Sequence, residues 1–236
     1  MRSVAAAPLR AGDPVAFSLL RVPFFLEPEY DRSEAFEETN RTRLERKWGG
    51  RRAFEAQKRR HRLAERGLEV GIAHFELDRV ASSTFASHRL VQWVTRSYGL
   101  SAAEALYDEL NLLHFECGKK LNDRRMLVQA AANAGADAAA AESFLASDEG
   151  GEEIHAAGLI LSQLGISSIP TFILGASRVV GGALHAEELV THLRELEAQP
   201  EGAPNTLFGE ALGIPPSILN QTLDLDRYAN AAWASA

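Results

Sequence analysis

One ten-residue run, Gly165-Ile-Ser-Ser-Ile-Pro-Thr-Phe-Ile-Leu174, has the residue types needed to hold a ligand by its backbone. Pro170 has no N–H to give to a sheet, and it restricts Ile169 to an extended conformation. An X-Pro bond is the one peptide link in which cis costs only about 0.5–1 kcal/mol. A cis bond there would turn the N–H and C=O of Ile169 outward, where an extended peptide could pair with them as an added strand. The plain alternative is a trans proline that opens a strand. Thiol chemistry rests on one residue, because Cys117 is the only cysteine among 236 residues. A two-cysteine exchange cycle needs one thiolate to attack a disulfide and a second thiol to resolve the mixed disulfide. The sequence holds no such pair. Cys117 follows His114-Phe-Glu116 at an expected helix end and reads as an inert or partly buried thiol, the alternative being a thiolate favoured by Lys119, Lys120 and His114. His74, His88 and His114 lack the i, i+4 pairing of a zinc helix, and Gly181-Gly182 is too short for a phosphate loop.

The elements around the run follow from its periodicity. Phe172, Ile173 and Leu174 predict a buried strand after Pro170. Gly175-Ala-Ser177 is a turn signal, Arg178-Val-Val180 a second short strand, and Gly181-Gly182 its end. Residues 184–196 carry Leu189, Leu193 and Leu196 on one helical face, with His185 in its first turn. Residues 152–164 align Ile154, Ala157, Leu161 and Leu164 in the same way. Helix, strand, strand, helix, with a proline at the first strand's entrance, resembles the C-terminal half of a thioredoxin-like fold.

Upstream, residues 15–21 predict a strand that runs into Val22-Pro-Phe-Phe-Leu-Glu-Pro28. Residues 33–48 and 51–66 read as charged helices parted by Gly49-Gly50, and 71–78 as a loop. A helix over 82–98 stops at Gly99. Ser101-Ala-Ala-Glu104 is a capping box for the next helix, and 123–134 and 138–145 follow. A lone early strand must pair with the later ones. The expected layout is therefore an α/β domain over 14–198 interrupted by a helical insertion at about 33–148. A flexible segment 1–13 precedes it and a tail 199–236 follows, containing Pro200, Pro204, Pro215 and Pro216, with Phe208, Leu212, Ile214, Ile218 and Leu223 as docking side chains.

Hydrophobic content of 46% with 24% charged residues is that of an ordinary globular chain, and no apolar stretch approaches the ~20 residues that span a bilayer. A single cysteine excludes an internal disulfide framework and points to a cytoplasmic setting. The first ten residues hold two arginines and no acid, which leaves an organellar targeting segment as the alternative. The net charge of −7 is unevenly spread. Residues 41–66 hold eleven Lys/Arg and three Glu, a net of +8 that leaves −15 on the rest. Such a run reads first as a solvated helical face, and without interleaved aromatics it predicts no nucleic-acid partner.

Five segments, in order, resemble the FrnE-like branch of the DsbA family. They are Val22 to Pro28, Ser82-Ser-Thr-Phe-Ala-Ser-His-Arg-Leu90, Phe144-Leu-Ala-Ser-Asp148, Gly165 to Leu174, which resembles the family's cis-proline segment, and Val180-Gly-Gly-Ala183. The resemblance covers roughly residues 14–197 and implies a thioredoxin-like α/β fold with a DsbA-type helical insertion. The family's first strand, Cys-x-x-Cys motif and first helix have no matching residues, so the chain reads as lacking the first strand and helix. The implied function is that of a thiol-disulfide oxidoreductase family member, redox-impaired because no Cys-x-x-Cys is present. Two alternatives stay open: a redox-inactive peptide- or glutathione-binding module, and a glutathione-dependent isomerase or transferase. By resemblance, Ile169, Pro170 and Thr171 bind a peptide or glutathione backbone, Gly182 and Ala183 receive a carboxylate, and His88 faces the cleft. A locally bonded His88 is the plainer reading. No resident cofactor is implied beyond glutathione, and the partners expected are thiol or disulfide peptides or glutathione, with no membrane.

Overall fold

A computed structural model of the chain describes residues 1–10, 12, 15–69, 71–175, 178–199 and 207–226. In chain order its elements are α1 (Arg2–Ala6), β1 (Glu38–Thr39), α2 (Asn40–Trp48), α3 (Arg51–His61), α4 (Leu63–Glu69), β2 (Val80–Ala81), α5 (Phe85–Tyr98) and α6 (Leu100–Asn111). A π-helical turn (Leu112–Glu116) follows. Then come α7 (Arg124–Asn133), α8 (Ala138–Ala146), α9 (Gly151–Gln163), β3 (Thr171–Leu174), β4 (Arg178–Gly181), α10 (Ala186–Glu197), α11 (Leu207–Ala211) and α12 (Pro216–Leu219).

Two apolar clusters organise the molecule. One lies inside the insertion, where Leu90, Val94, Leu106, Leu127 and Phe144 bring α5, α6, α7 and α8 together. The other joins Ile154, Ala157 and Leu161 of α9 to Phe208, Leu212, Ile214 and Leu219 of the C-terminal segment. Leu20, Val22, Phe24, Phe25 and Ile173 pack onto this second cluster. The tail is thus part of the domain between 207 and 226. Pro200 and Pro204, and the Ala176-Ser177 part of the expected turn, lie outside the described residues.

Among the described residues the strands form two separate two-stranded antiparallel sheets, β1 with β2 and β3 with β4. Thr171 faces Gly181, and Leu174 faces Arg178. Residues 15–21, expected as a strand, have no regular secondary structure and join neither sheet. Their backbone is held elsewhere: Leu223 N–H donates to Phe17 O at 2.7 Å, and the Ser18 hydroxyl donates to Leu219 O. A β-rich sequence without an adjacent strand has no ladder to join.

Other boundaries differ for local reasons. The helix expected over 33–48 begins only at Asn40, because the Thr39 hydroxyl accepts the Thr42 N–H at 3.1 Å and caps it there. The helix expected over 51–66 is two helices, broken where Arg62 takes a left-handed φ of 47°. The Ser101 capping box does not form. The helix starts two residues earlier, at Leu100 with Gly99 as its N-cap, Gln221 Oε1 accepts the Leu100 N–H at 3.0 Å, and Glu104 turns to Arg21. His185 sits at the N-cap of α10 rather than in its first turn. The N-terminus, expected to be flexible, carries α1 packed on α10, with Val4 wholly buried and its carbonyl accepting from Arg194.

Candidate functional site

The loop that ends α9 delivers Ile169 and Pro170 to the start of β3. The Ile169–Pro170 peptide is cis. Ile169 is 50% exposed, a large apolar side chain left in solvent. The Thr171 hydroxyl donates to Ser168 O at 2.7 Å, which ties the loop to the strand's first residue. The Gly182 N–H donates to Pro170 O at 2.9 Å. In an antiparallel pair the hydrogen-bonded positions alternate. With Pro170 and Gly182 bonded and the register as it stands, Phe172 and Leu174 also turn their backbone toward β4. Thr171 and Ile173 therefore turn theirs to the outer edge of β3, along which no described strand runs.

Gly182 and Ala183 lie close by, since Gly182 is bonded to Pro170 and both are exposed. Gly182 has a φ of 96°, a left-handed value that suits glycine. Neither residue is in the first turn of α10, which begins at Ala186. That turn already carries Glu187 and Glu188, and the Glu188 carboxylate takes the His185 N–H at 2.8 Å. A ligand carboxylate would meet two like charges there, so the expected anion role of this turn is not supported by its surroundings.

His88 is packed rather than presented. Its Nε2 donates to Phe24 O at 3.3 Å and its ring meets Phe25 edge-on at 5.1 Å. Burial lowers its pKa to about 4, so the ring is neutral near pH 7. It anchors the 22–25 segment to α5.

The only thiol lies elsewhere. Cys117 is exposed and closes the π-helical turn, its N–H donating to Leu112 O at 3.1 Å. Nearby, His114 has a pKa lowered to about 4, chiefly by burial. It accepts from Arg79 Nε at 3.0 Å and donates from Nδ1 to Lys119 O at 2.9 Å, which fixes one neutral tautomer. No cluster of three or more His, Cys, Asp or Glu able to hold a metal occurs among the described residues. No helix there is long and apolar enough to cross a membrane.

An exposed cis-proline loop feeds a short antiparallel strand pair, and helices α5 to α8 are inserted before it. Residues 23–194 match the DSBA-like thioredoxin domain. The chain belongs to this family. A crystal structure of a probable DsbA oxidoreductase from Streptomyces coelicolor is similar, with 27% identity and a TM-score of 0.69 over 86% of this chain and 82% of that one. No curated protein matches the chain. The α/β, thioredoxin-like DsbA-type fold expected from the sequence stands.

Sequence reasoning missed Arg89. Its guanidinium is buried and donates to Glu149 O at 2.7 Å, Ser147 O at 2.6 Å and Phe144 O at 3.3 Å. It holds the α8–α9 corner through backbone carbonyls, and no sequence signal marks carbonyl acceptors. Burial lowers its pKa, partly offset by Asp148 and Glu149.

Proposed function

We propose that this DsbA-family domain binds an extended thiol- or disulfide-bearing peptide, or glutathione, along Ile169-Pro170-Thr171, and is impaired in two-thiol redox chemistry. The observation that carries this reading is an accessible strand edge at Ile169–Thr171, with no described strand beside it, in a sequence whose one thiol, Cys117, belongs to the helical insertion. The outward N–H and C=O of Thr171 offer the two hydrogen bonds by which an extended backbone adds to a sheet. The exposed Ile169 side chain offers apolar contact beside them. No second cysteine exists to resolve a mixed disulfide formed at Cys117. Similarity to the Streptomyces coelicolor protein, a probable DsbA oxidoreductase, favours the oxidoreductase reading instead. One pair of assays separates the two.

The test is insulin disulfide reduction with dithiothreitol, run beside an amide NMR titration with glutathione. We expect no rate above the uncatalysed control, and glutathione-dependent shifts at Ile169, Thr171 and Ile173. Catalysed reduction would sink the redox half of the reading. Shifts confined to other residues would sink the site. Glutathione binding there with turnover of an isomerisable substrate would move the domain to the isomerase or transferase class.

A further inference from the structure

The helix entry at 82–90 holds a side chain that the strand-edge reading leaves unused. Phe85 opens α5, and the Arg32 guanidinium sits over its ring, with Cζ 3.7 Å from the ring centroid. His155 of α9 lies beside them, its ring 6.0 Å from that of Phe85, and its Nε2 accepts from Arg32 Nη2 at 3.3 Å. The other N–H groups of Arg32 have no partner among the described residues. Neighbouring acids are engaged elsewhere: Asp31 accepts the Ser33 N–H at 2.8 Å, and Glu153 pairs with Arg96. Among the described residues no carboxylate lies within ion-pair distance of Arg32. Leu159 follows His155 at i, i+4 on the same face of α9. It is 66% exposed, the most exposed of the large apolar side chains described.

A guanidinium held over a ring and by a histidine keeps its remaining N–H groups for a carboxylate, which it grips in paired hydrogen bonds. The exposed leucine one turn along offers contact to an apolar group attached to that carboxylate. We infer that Arg32 and Leu159 receive the C-terminal residue of an apolar-ended peptide, its carboxylate on Arg32 and its side chain on Leu159. Phe85 and His155 hold the guanidinium in place for it. A C-terminal residue carries both groups on one carbon, within the reach of a single helical turn. A free fatty acid fits less well: Leu159 is open to solvent, whereas sites for small ligands bury most of the ligand's surface. The β3 edge plays no part in this contact.

The experiment is an NMR titration of the full chain with N-acetyl-leucine, run beside N-acetyl-leucinamide, which lacks the charge, and acetate, which lacks the apolar group. We expect N-acetyl-leucine to shift the Arg32, His155 and Leu159 signals. The amide should bind at least about tenfold more weakly, the factor that one hydrogen bond between charged groups supplies, and acetate should also bind more weakly. R32M keeps a stem on the Phe85 ring but removes the fork, and should lose that same factor. L159S should weaken N-acetyl-leucine and leave acetate unchanged. Both side chains are exposed, so the melting temperatures of the variants should match the wild type. Equal binding of the acid and the amide, unchanged binding by R32M, or shifts confined to other residues overturn the inference. Tighter binding of hexanoate than of N-acetyl-leucine does so too, and reassigns the face to fatty acids.

Discussion

Arg21 grips Glu104 with two parallel hydrogen bonds, Nε to Oε1 and Nη2 to Oε2, each 2.8 Å long. Glu104 lies on α6 inside the helical insertion and is 1% exposed, while Arg21 belongs to the N-terminal segment before β1. The pair therefore ties that segment to the insertion, aided by Gln92 Nε2 donating to Arg21 O at 2.7 Å. The Arg21 guanidinium also covers the Tyr107 ring at 4.2 Å.

Removing Arg21 takes away the bidentate partner of a buried carboxylate, and breaking such a pair costs about 3–5 kcal/mol in comparable sites. Arg21 is partly exposed, so the lower figure applies. Arg21→Ala should lose about 3 kcal/mol, and Arg21→Met with Glu104→Leu should recover most of it. Urea denaturation of the three proteins checks this. Equal losses in the single and double variants would show that packing, not charge, dominates.

Two half-buried histidines contribute to the acid side of stability. His88 and His114 both have pKa values lowered to about 4, against 6.5 when unfolded. Between those values the unfolded chain binds protons that the folded chain refuses, so stability falls as pH drops from about 6.5 to about 4. Each histidine contributes up to about 1.4 kcal/mol per pH unit in that window. Both side chains are partly accessible, which reduces the figure. Urea midpoints at successive pH values should fall in this range, and His88→Leu should flatten the slope. An NMR titration placing the His88 ring near 6.5 would contradict burial as the cause.

Gly99 joins α5 to α6 with a φ of 90°, and an added Cβ would lie 2.5 Å from Gln221 Oε1. That oxygen is the acceptor that caps α6 at Leu100. Gly99→Ala thus combines a strained backbone with displacement of the cap, at a cost of about 2–3 kcal/mol. Gln221→Ala alone should lose about 1 kcal/mol. If thermal melts of the two variants coincide, the steric argument fails and only the cap matters.

The strand pair and most helices are legible in the sequence because each carries its own signal. Pro170 before Thr171–Leu174, the glycines at 181–182, and the apolar spacing of Ile154, Ala157 and Leu161 are all local. The candidate site is readable for the same reason, since Ile169, Pro170, Thr171 and Gly182 are close in sequence as well as in space. What is not legible depends on distant partners. Residues 15–21 have strand-like composition, yet Phe17 and Ser18 bond to Leu223 and Leu219, some two hundred residues away. Val4 finds its cover on α10, and Ser101 loses its cap role to Gln221. His88 matches a motif, but only the structure reveals the Phe24 carbonyl that satisfies it.

The C-terminal segment is where that gap can be tested most sharply. Leu212 is wholly buried between α11 and α12, in the cluster that also holds Ile154, Leu161 and, at its border, Ile173 of the candidate binding strand. Leu→Ala at such a site removes apolar contacts and leaves a cavity, costing about 3 kcal/mol. Because Ile173 borders the cluster, the loss should reach β3. Leu212→Ala should speed amide hydrogen exchange at Phe172 and Leu174, whose N–H groups pair with β4. A tail that merely rests on the surface would lose a few tenths of a kcal/mol and leave β3 exchange unchanged.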